Sequence, residues 1–332
     1  MRNRMENRME QIKTTVVIPN YNGMKYLGDC LSFLHRSKGT TFETVVVDNG
    51  SQDGSAAFIR DRFPWVKVIT LSQNTGFSAA VNVGICAAGT EYVILLNNDT
   101  VVEPDFVQQL EQAMEKHGEY FSISSKMLSM QNPECIDDAG DFYCALGWAF
   151  GRGKGQDSCR FANETEVFAA CGGAAIYRRE VFDRIGYFDE LHFAYLEDID
   201  IGYRAQIHGY RNGYCPKAVV YHAGSGSSGS RYNAFKVDLS SRNSVYLVAK
   251  NMPLLQIILN LPFLLVGYLI KALFFVKKGL GIVYLRGLMR GIRLSFSREG
   301  RKQKVPFRPA HFGNYVRIQL QLWANLIRRF VN

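Results

Sequence analysis

Apolar runs and amphipathic segments alternate along the first hundred residues. Runs that are apolar at nearly every position suit parallel strands covered on both faces, and the segments between them carry apolar residues at helical spacing. Strands are predicted at 14–18, 42–47, 66–71 and 92–97, and helices at 26–34, 56–62 and 79–87. Strand and helix repeat about every 25 to 30 residues, which is typical of βαβ units. The pattern predicts an α/β fold with a mainly parallel, doubly wound sheet.

A cluster of polar residues follows each of these four strands. The clusters read PNYN at 19–22, DNGS at 48–51, NTG at 74–76 and NND at 97–99. Any one of them is also typical of a turn or a helix cap. Because open α/β sheets bind ligands at the carboxyl ends of their strands, the four together predict one crevice. Its amides and carboxylates suit a nucleotide diphosphate with a hard cation.

Two glycine-rich segments resemble phosphate loops but lack the required context. GWAFGRGKGQ, at 147–156 in an irregular region from 120 to 166, has no Walker spacing and is interpreted as a mobile surface loop. GSGSSG, at 224–229, formally matches GxGxxG, yet no βαβ unit and no acid at the expected distance follow it. We interpret it as the hinge of a closing loop.

The segment FAYLEDIDIGYR, at 193–204, predicts a helix with a crowded acidic first turn. Ile199, Tyr203 and Gln206 fall on one line, while Glu197, Asp198 and Asp200 lie near the start. Carboxylates at this end are favoured by the helix dipole, and behind an aromatic loop they also offer a general base. A further strand at 218–222 ends at His222.

The formal net charge of +9 belongs to the C-terminal part of the chain. Residues 271–332 contain 14 Lys and Arg and one acid, Glu299. These charges are interleaved with apolar side chains, which favours an anionic membrane surface over nucleic acid. The seven cysteines form no CxxC pair, and the N-terminus has no apolar signal segment. Both features favour a cytosolic protein with reduced thiols and a frayed extension at 1–12.

The C-terminal segment 251–332 is predicted to attach the protein to a membrane. Residues 252–276 are apolar and about long enough to span a bilayer, but one span would export the basic tail against the positive-inside tendency. A re-entrant or in-plane helical segment fits better. Arg286, Arg290 and Arg293 repeat at helical spacing beyond it, and the other faces of that helix carry a first apolar stripe of Ile282, Leu285, Leu288, Met289 and Ile292. A second stripe comprises Val316, Leu320, Trp323, Ile327 and Phe330. The alternative is that these stripes pack on the catalytic domain or a partner.

From about Val16 to Asn251 the chain resembles the family 2 glycosyltransferases, which are inverting enzymes with a GT-A fold. The resemblance is strongest to rhamnosyltransferase-like members of bacterial surface polysaccharide synthesis. Its markers are VVIPNYNG, VVVDNGSQDGS, NTGFSAAVNVG, YVILLNNDT, GGAAIYRREVFDRIGYFDE, FAYLEDIDIGYRAQIHGYR and AVVYHAGS. No QxxRW motif occurs, which disfavours a processive synthase of the cellulose type.

The resemblance implies a role for each matching position. Pro19, Tyr21 and Asp48 hold the pyrimidine and ribose of the donor, and Asn74 and Asn98 line its pocket. Asp99, the last residue of the DxD-type motif, binds Mn²⁺ or Mg²⁺ across the diphosphate, and His222 resembles a second ligand. Asp198 is the catalytic base, supported by Glu197. Asn97 replaces the first Asp of the motif, which leaves Asp99 as its only charged ligand.

These expectations describe an enzyme bound to the inner face of the cell membrane. Residues 13–250 form the catalytic domain, with a nucleotide-binding half at 13–118 and an acceptor half at 119–250. The enzyme moves one sugar from dTDP-rhamnose or a UDP-sugar to a saccharide or lipid-linked acceptor. A non-catalytic sugar-nucleotide-binding scaffold is the alternative. A dinucleotide oxidoreductase is disfavoured because Pro-Asn-Tyr-Asn stands where its glycine-rich turn belongs.

Overall fold

The computed structural model describes residues 12–224 and 232–331. The extension predicted at 1–12, apart from Ile12, and the hinge predicted at 224–229, apart from Gly224, lie outside the described residues. The strands are β1 (Thr14–Asn20), β2 (Phe42–Asp48), β3 (Lys67–Thr70), β4 (Tyr92–Leu96), β5 (Thr100–Val102), β6 (Tyr120–Ser129), β7 (Ile136–Asp138), β8 (Asp141–Cys144), β9 (Trp148–Gly151), β10 (Thr165–Val167), β11 (Ala174–Arg178) and β12 (Arg211–His222). The helices are α1 (Met24–His35), α2 (Ser55–Arg62), α3 (Phe77–Ala87), α4 (Phe106–Lys116), α5 (Arg179–Ile185), α6 (Glu197–Ile207), α7 (Ala234–Asn251), α8 (Leu254–Lys277), α9 (Gly281–Phe296), α10 (Arg298–Lys302) and α11 (Phe312–Val331).

Ten strands of the described chain form one sheet. Its main path is β10-β12-β6-β11-β4-β1-β2-β3, with β5 and β7 pairing at the side. The half built from β3, β2, β1 and β4 is parallel, and β11 joins it antiparallel. The predicted α/β class, with a parallel first half and a mixed second region, is confirmed. In the β1–β2 register Asn20 lies opposite Asp48, so the polar clusters leave the sheet at one edge.

Alternate side chains of the central strands pack into layers on the two faces of the sheet. Val16 and Ile18 belong to the layer with α1 and α4, whereas Val17 packs with α3 on the other face. Each side chain is fully buried, and burial of one such side chain contributes about 1.5–3 kcal/mol. This two-sided core explains why the strands read as continuous apolar runs and fixes the edge that carries the polar residues.

The expectation of an irregular region at 120–166 with a mobile loop at 147–156 is wrong. β6 is a ten-residue strand inside the main sheet, and β8 and β9 form a hairpin. The strand is hard to recognise because buried serines occupy core positions. Ser122 Oγ donates to the Asn212 amide oxygen at 2.8 Å, and Ser125 Oγ donates to the Ala174 carbonyl at 2.8 Å. Partners distant in sequence thus satisfy hydroxyls that a local pattern assigns to a loop.

The C-terminal helices pack on the body with one face and expose many large apolar side chains on the other. α9 contacts α7 through Gly287 and Gly291, whereas α11 buries Tyr315, Ile318 and Leu322. The second predicted stripe is exposed at every position: Val316, Leu320, Trp323, Ile327 and Phe330. The alternative in which this stripe packs on the catalytic domain therefore does not hold in the described part of the chain.

Helix α8 is unbroken over 24 residues although Pro262 lies inside it. A re-entrant segment would turn back on itself, and α8 does not. Five of its residues are buried, and the helix is long and apolar enough to cross a membrane by length and composition. Asn260 of α8 exchanges side-chain hydrogen bonds with Gln319 of α11 at 2.8 and 2.9 Å, and Phe275 stacks on Tyr284 of α9. These contacts join α8 to both neighbouring helices.

Candidate active site

The polar clusters after β1, β2 and β4 are connected by side-chain hydrogen bonds. The Asn20 amide donates to Asp48 Oδ1 at 2.9 Å, and the Asn98 amide donates to Asn20 Oδ1 at 2.7 Å. All three side chains are buried at the carboxyl edge of the parallel half. The predicted convergence of these clusters is therefore a feature of the structure.

The fourth cluster joins them through Asn49, which the sequence analysis did not single out as a site residue. Its amide donates to Asn74 Oδ1 at 3.1 Å and to the Gly76 carbonyl at 3.0 Å. Its side-chain oxygen accepts from the Thr75 backbone N–H at 2.9 Å. Asn49 thus fastens the loop after β3 to the end of β2, and only its place beside Asp48 hinted at this.

The five residues assigned to donor binding divide by exposure. Tyr21 is 46% exposed and Asn74 is exposed, Pro19 is partly exposed, and Asn98 is buried. The Asp48 carboxylate is 1% exposed, and its second oxygen accepts from the Ser51 backbone N–H at 3.3 Å. Contact between Asp48 and a pyrimidine N–H requires this carboxylate to be uncovered. Tyr21 and Asn74 are the accessible members of the set.

Asp99 and His222 lie side by side, as the resemblance implies. β5 pairs with β12 and brings His222 opposite Thr100, next to Asp99 in the chain. Nε2 of His222 is 3.3 Å from Asp99 Oδ1, and its Nδ1 is 2.7 Å from Asp137 Oδ2. Burial alone lowers the pKa of His222, but the hydrogen bonds to Asp137 and Asp99 outweigh it and raise the pKa to about 9.

Asp99, His222 and Asp137 form a row of contacting side chains, and Asp137 is its outer member. Lys154 Nζ lies 2.6 Å from its other oxygen. Burial opposes ionisation of Asp137, yet the hydrogen bonds from His222 and Lys154 hold its pKa at about 2. A carboxylate on the far nitrogen of a histidine is the usual outer partner of a metal-binding imidazole. Asp99 and His222 therefore have the donor atoms and support that fit a divalent cation.

Asp198 lies across a pair of glycines from the Asn97–Asp99 turn. A Cβ at Gly172 would lie 3.9 Å from Asp198 Cβ, and one at Gly173 would lie 3.0 Å from Asn97 Nδ2. The Asn97 backbone N–H also donates to the Gly173 carbonyl at 2.8 Å. The candidate base and the candidate metal-binding turn thus adjoin the same pair of glycines.

The loop before α6 is strained and is held in place by α7. Phe193, Tyr195 and Leu196 have φ angles of 62°, 71° and 68°, a region that non-glycine residues rarely adopt. The Asn243 amide donates to the carbonyls of His192, Ala194 and Tyr195 at 2.7–2.9 Å. This clamp presents Glu197 and Asp198 at the first turn of α6. Nothing near Asn243 in the sequence indicated it.

Buried carboxyl groups surround Asp198. Ligand atoms of Asp138, Asp141 and Cys171 lie within 4.8 Å of one another, and the Asp141 side chain is hydrogen-bonded to Asp198. Burial, reinforced by neighbouring carboxylates, raises the pKa of Asp138 to about 7 and that of Glu197 to about 8. Burial also raises the pKa of Asp198, while the hydrogen bonds from Ile199 and Asp141 oppose the rise.

The pKa shifts of Asp141 and Asp198 indicate different roles for these two hydrogen-bonded carboxyl groups. The pKa of Asp141 is raised well above its usual range, first by burial and then by the charges of Asp138 and Asp198. The hydrogen bond between the two raises the pKa of Asp141 and opposes the rise in the pKa of Asp198, so Asp141 is the donor and Asp198 the acceptor of that bond. Asp141 was missed in the sequence because it lies in the segment expected to be irregular.

Asp200, the other acid of the first turn, belongs to a buried ion network. Lys250 Nζ lies 2.8 Å from Asp200 and 2.7 Å from Asp189, and Arg204 lies 3.0 Å from Asp200. His192 lies beside this network, and burial lowers its pKa to about 4. The network joins α6 to α7.

Comparisons with known proteins agree with this architecture. The chain is 26% identical to the N-acetylglucosaminyl-diphospho-decaprenol L-rhamnosyltransferase of Mycobacterium tuberculosis over 238 residues, 64% of this chain and 77% of that one. The solved mannosyltransferase PcManGT from Pyrobaculum calidifontis, in complex with GDP-Man and Mn²⁺, has a TM-score of 0.55 at 15% identity and covers 93% of this chain and 87% of its own.

A second solved structure, GalNAc-T7 with UDP, GalNAc and Mn²⁺, has a TM-score of 0.57 at 18% identity. The match covers 72% of this chain, which spans about half of that one, 48%. At these identities the likeness shows a shared fold, the GT-A type expected above. The family model described as Glycosyl transferase family 2 matches residues 15–186, just over half of the 332 residues. The chain therefore belongs to glycosyl transferase family 2.

Proposed function

We propose that this protein transfers one sugar from a nucleotide diphosphate sugar to an acceptor hydroxyl with inversion at the anomeric carbon. The observation that carries the proposal is the approach of Asp198 to the Asn97–Asp99 turn across Gly172 and Gly173. One displacement needs a leaving-group site and a base on opposite sides of the sugar, and this arrangement supplies both. The rhamnosyltransferase relative supports dTDP-rhamnose as the donor, with a UDP-sugar next in order.

Asp198 acts as the base that accepts the proton of the acceptor hydroxyl. Its carboxylate is held by the Ile199 backbone N–H at 2.8 Å and by the Asp141 hydroxyl. A base works best when its pKa lies near the working pH, and burial raises the pKa of Asp198 in that direction. Asp141 positions Asp198, and Glu197, also buried, orients the acceptor.

Asp99 and His222 hold Mn²⁺ or Mg²⁺ in this proposal. The donor atoms are 3.3 Å apart, and Asp137 fixes the imidazole so that Nε2 faces Asp99. A divalent cation here supplies stabilisation of the charge on the departing diphosphate. Tyr21 and Asn74 flank the nucleotide at the exposed rim of the site. The buried, hydrogen-bonded side chains of Asp48, Asn20 and Asn98 form the floor beneath it.

The enzyme works on the cytoplasmic face of a membrane, attached without crossing it. α8, α9 and α11 each expose large apolar side chains, among them Leu273, Ile282 and Leu320. On α9 this apolar stripe borders Arg286 and Arg293, both exposed, which is the composition of an interfacial helix. The attachment brings the site to a lipid-linked acceptor.

Substitution Asp198→Asn tests the base, and Asp61→Asn, at an exposed position, serves as the matched control. We expect the first variant to bind the donor normally and to lose about 10²–10⁴-fold in transfer rate, the usual range for a general base. Donor binding is measured by thermal shift with dTDP-rhamnose and UDP-sugars in Mn²⁺, and transfer by nucleotide release with acceptor. Transfer by Asp198→Asn at the rate of Asp61→Asn would falsify the assignment.

A further inference from the structure

A cavity of about 1250 Å³ lies between Asp137, the outer partner of His222, and the apolar helix α8. Asp137, Lys154 and Tyr195 line the end near the active site, and Ile270 and Phe274 line the end at α8. Asp137 is the residue that contacts His222, so the cavity begins where the Asp99–His222 row ends. This volume exceeds what a single sugar needs.

The cavity is strongly basic. Among the described residues that line it are seven lysines and arginines and one carboxylate, that of Asp137. Lys154 is the cation paired with that carboxylate. The walls of the cavity thus carry more positive than negative charge, and a bound ligand with several negative charges complements this excess.

Four of these cations rest on aromatic rings instead of carboxylates. Lys271 lies 5.5 Å from the ring centre of Trp148, and Arg329 lies 5.5 Å from that of Phe150. Arg328 stands over Phe142 at 5.0 Å and Arg152 over Phe161 at 4.7 Å. Within the described ranges none of the four forms an ion pair with an acid, whereas Lys250 and Arg204 do.

Two further features favour the binding of an anion in this cavity. Nη1 of Arg152 is buried and has no hydrogen-bond partner among the described residues. Lys271 is half-buried on α8, between residues whose side chains are exposed and apolar, such as Leu269 and Leu273. Arginine and lysine bind phosphate oxygens well, and an apolar helix beside them suits an acyl or prenyl chain.

We propose that this cavity binds the diphosphate of a lipid-linked acceptor. Lys271, Arg152, Arg328 and Arg329 contact the diphosphate oxygens, the lipid chain leaves along α8, and the sugar reaches toward Asp198. The assignment rests on the proposed function and names the acceptor class of the same site. A free nucleotide does not explain the continuity with α8, and a purely apolar ligand does not explain the charge.

The test compares two double variants that remove the same charge. Lys271→Met/Arg329→Gln changes the cavity, and Lys67→Met/Arg62→Gln changes exposed positions on β3 and α2, outside the cavity and away from the membrane-facing helices. Activity is measured with a prenyl-diphosphate-linked sugar and with the same sugar as a short alkyl glycoside. We expect the cavity variant to raise KM at least 10-fold for the first acceptor and less than 2-fold for the second. The control variant should leave both unchanged.

Direct binding tests the same idea without catalysis. Farnesyl diphosphate, inorganic pyrophosphate and farnesol are titrated against the full-length protein, and the thermal shift is recorded. The proposal expects farnesyl diphosphate to bind at least 10-fold more tightly than either fragment, and the cavity variant to lose that preference. Equal binding of farnesol, or an unchanged KM in the cavity variant, overturns it.

The two proposals fail in different ways. If the wild type hydrolyses no sugar nucleotide and glycosylates neither acceptor, the proposed function fails, while the binding titration still decides the cavity. If the wild type glycosylates both acceptors and the cavity variant behaves like the control on both, the transferase stands and the diphosphate site is wrong. Liposome sedimentation of both variants checks that membrane attachment has not changed.

Discussion

Replacement of Lys250 by Met probes the buried network that joins α6 to α7. The wild-type network contains two carboxylates and two cations, Asp189 and Asp200 with Lys250 and Arg204, and their side chains are at most 6% exposed. Lys250→Met preserves the length of the side chain but leaves two carboxylates facing one cation. Removing one partner of a buried ion pair costs about 3–5 kcal/mol, because the remaining charge loses its compensation.

The loss is measured as a change in the midpoint of thermal unfolding. An unfolding entropy of about 2.1 cal/mol/K per residue gives about 0.7 kcal/mol/K for 332 residues. The expected decrease is therefore about 4–7 °C. Lys13→Met is the control, since Lys13 pairs with Glu115 at 2.6 Å but both side chains are about half exposed, 50% and 45%. An exposed pair contributes about 0–1 kcal/mol, so the control should move the midpoint by less than about 2 °C.

The stability difference between wild type and Lys250→Met should change with pH in a defined direction. Burial favours protonation of Asp200, but Lys250 and then Arg204 outweigh it and hold its pKa below the usual range. A depressed folded-state pKa contributes stability that is complete above the unfolded value of about 3.9 and is lost as the pH falls through the folded value. Wild type therefore keeps this contribution from pH 8 to pH 5. In Lys250→Met, lowering the pH lets the carboxylate that lost its partner take up a proton, which restores part of the stability. The difference in unfolding free energy between wild type and Lys250→Met therefore becomes smaller as the pH falls.

A second variant makes the reasoning refutable. Lys250→Met/Asp189→Asn removes one charge of each sign, leaves Asp200 paired with Arg204, and should regain at least half of the loss. If Lys250→Met unfolds at the same temperature as Lys13→Met, the carboxylates of Asp189 and Asp200 are not held dry and paired as described.

Two further predictions concern the packing of α6 and the proposed metal-binding pair Asp99 and His222. A Cβ at Gly202 would lie 2.6 Å from Ala169 Cβ and 2.9 Å from its Cα, so Gly202→Ala should cost about 1–3 kcal/mol and lower kcat by displacing α6. Gly89→Ala, with open space around it, is the neutral control, and equal unfolding midpoints would exclude the close contact. His222→Gln should raise the Mn²⁺ concentration for half-maximal donor hydrolysis more than Asp137→Asn, whose expected rise is about 10-fold. An unchanged Mn²⁺ titration in both would remove His222 from the metal site.

The first half of the sheet, which we propose binds the nucleotide, was predictable from sequence because its strands are covered on both faces. Continuous apolar runs such as Val93–Leu96 occur where a strand has no polar side, and the polar residues that follow must leave at one edge. The predicted meeting of Asn20, Asp48 and Asn98 followed from this rule alone. Their hydrogen bonds and the covering of Asp48 did not follow from it, because they depend on side-chain directions.

The second half, 119–250, was less predictable because its important contacts join residues far apart in the chain. Ser122 is compatible with a core strand only because Asn212, ninety positions later, accepts its hydrogen bond. Asp141 gains its role from Asp198, and Asn243 from three carbonyls about 50 positions earlier. No local spacing reports such pairings, so this half was assigned mainly through the family resemblance.

The clamp formed by Asn243 has a consequence for how the enzyme can be handled. α7 carries the clamp on one side, and on the other side Gly287 and Gly291 of α9 fit closely against its backbone. Shortening the protein before α8 to obtain a version that dissolves without detergent would strip this support and leave the loop ahead of Asp198 free to relax. The C-terminal helices are thus a brace for the loop that carries the proposed base Asp198, and we expect the smallest active form to include them.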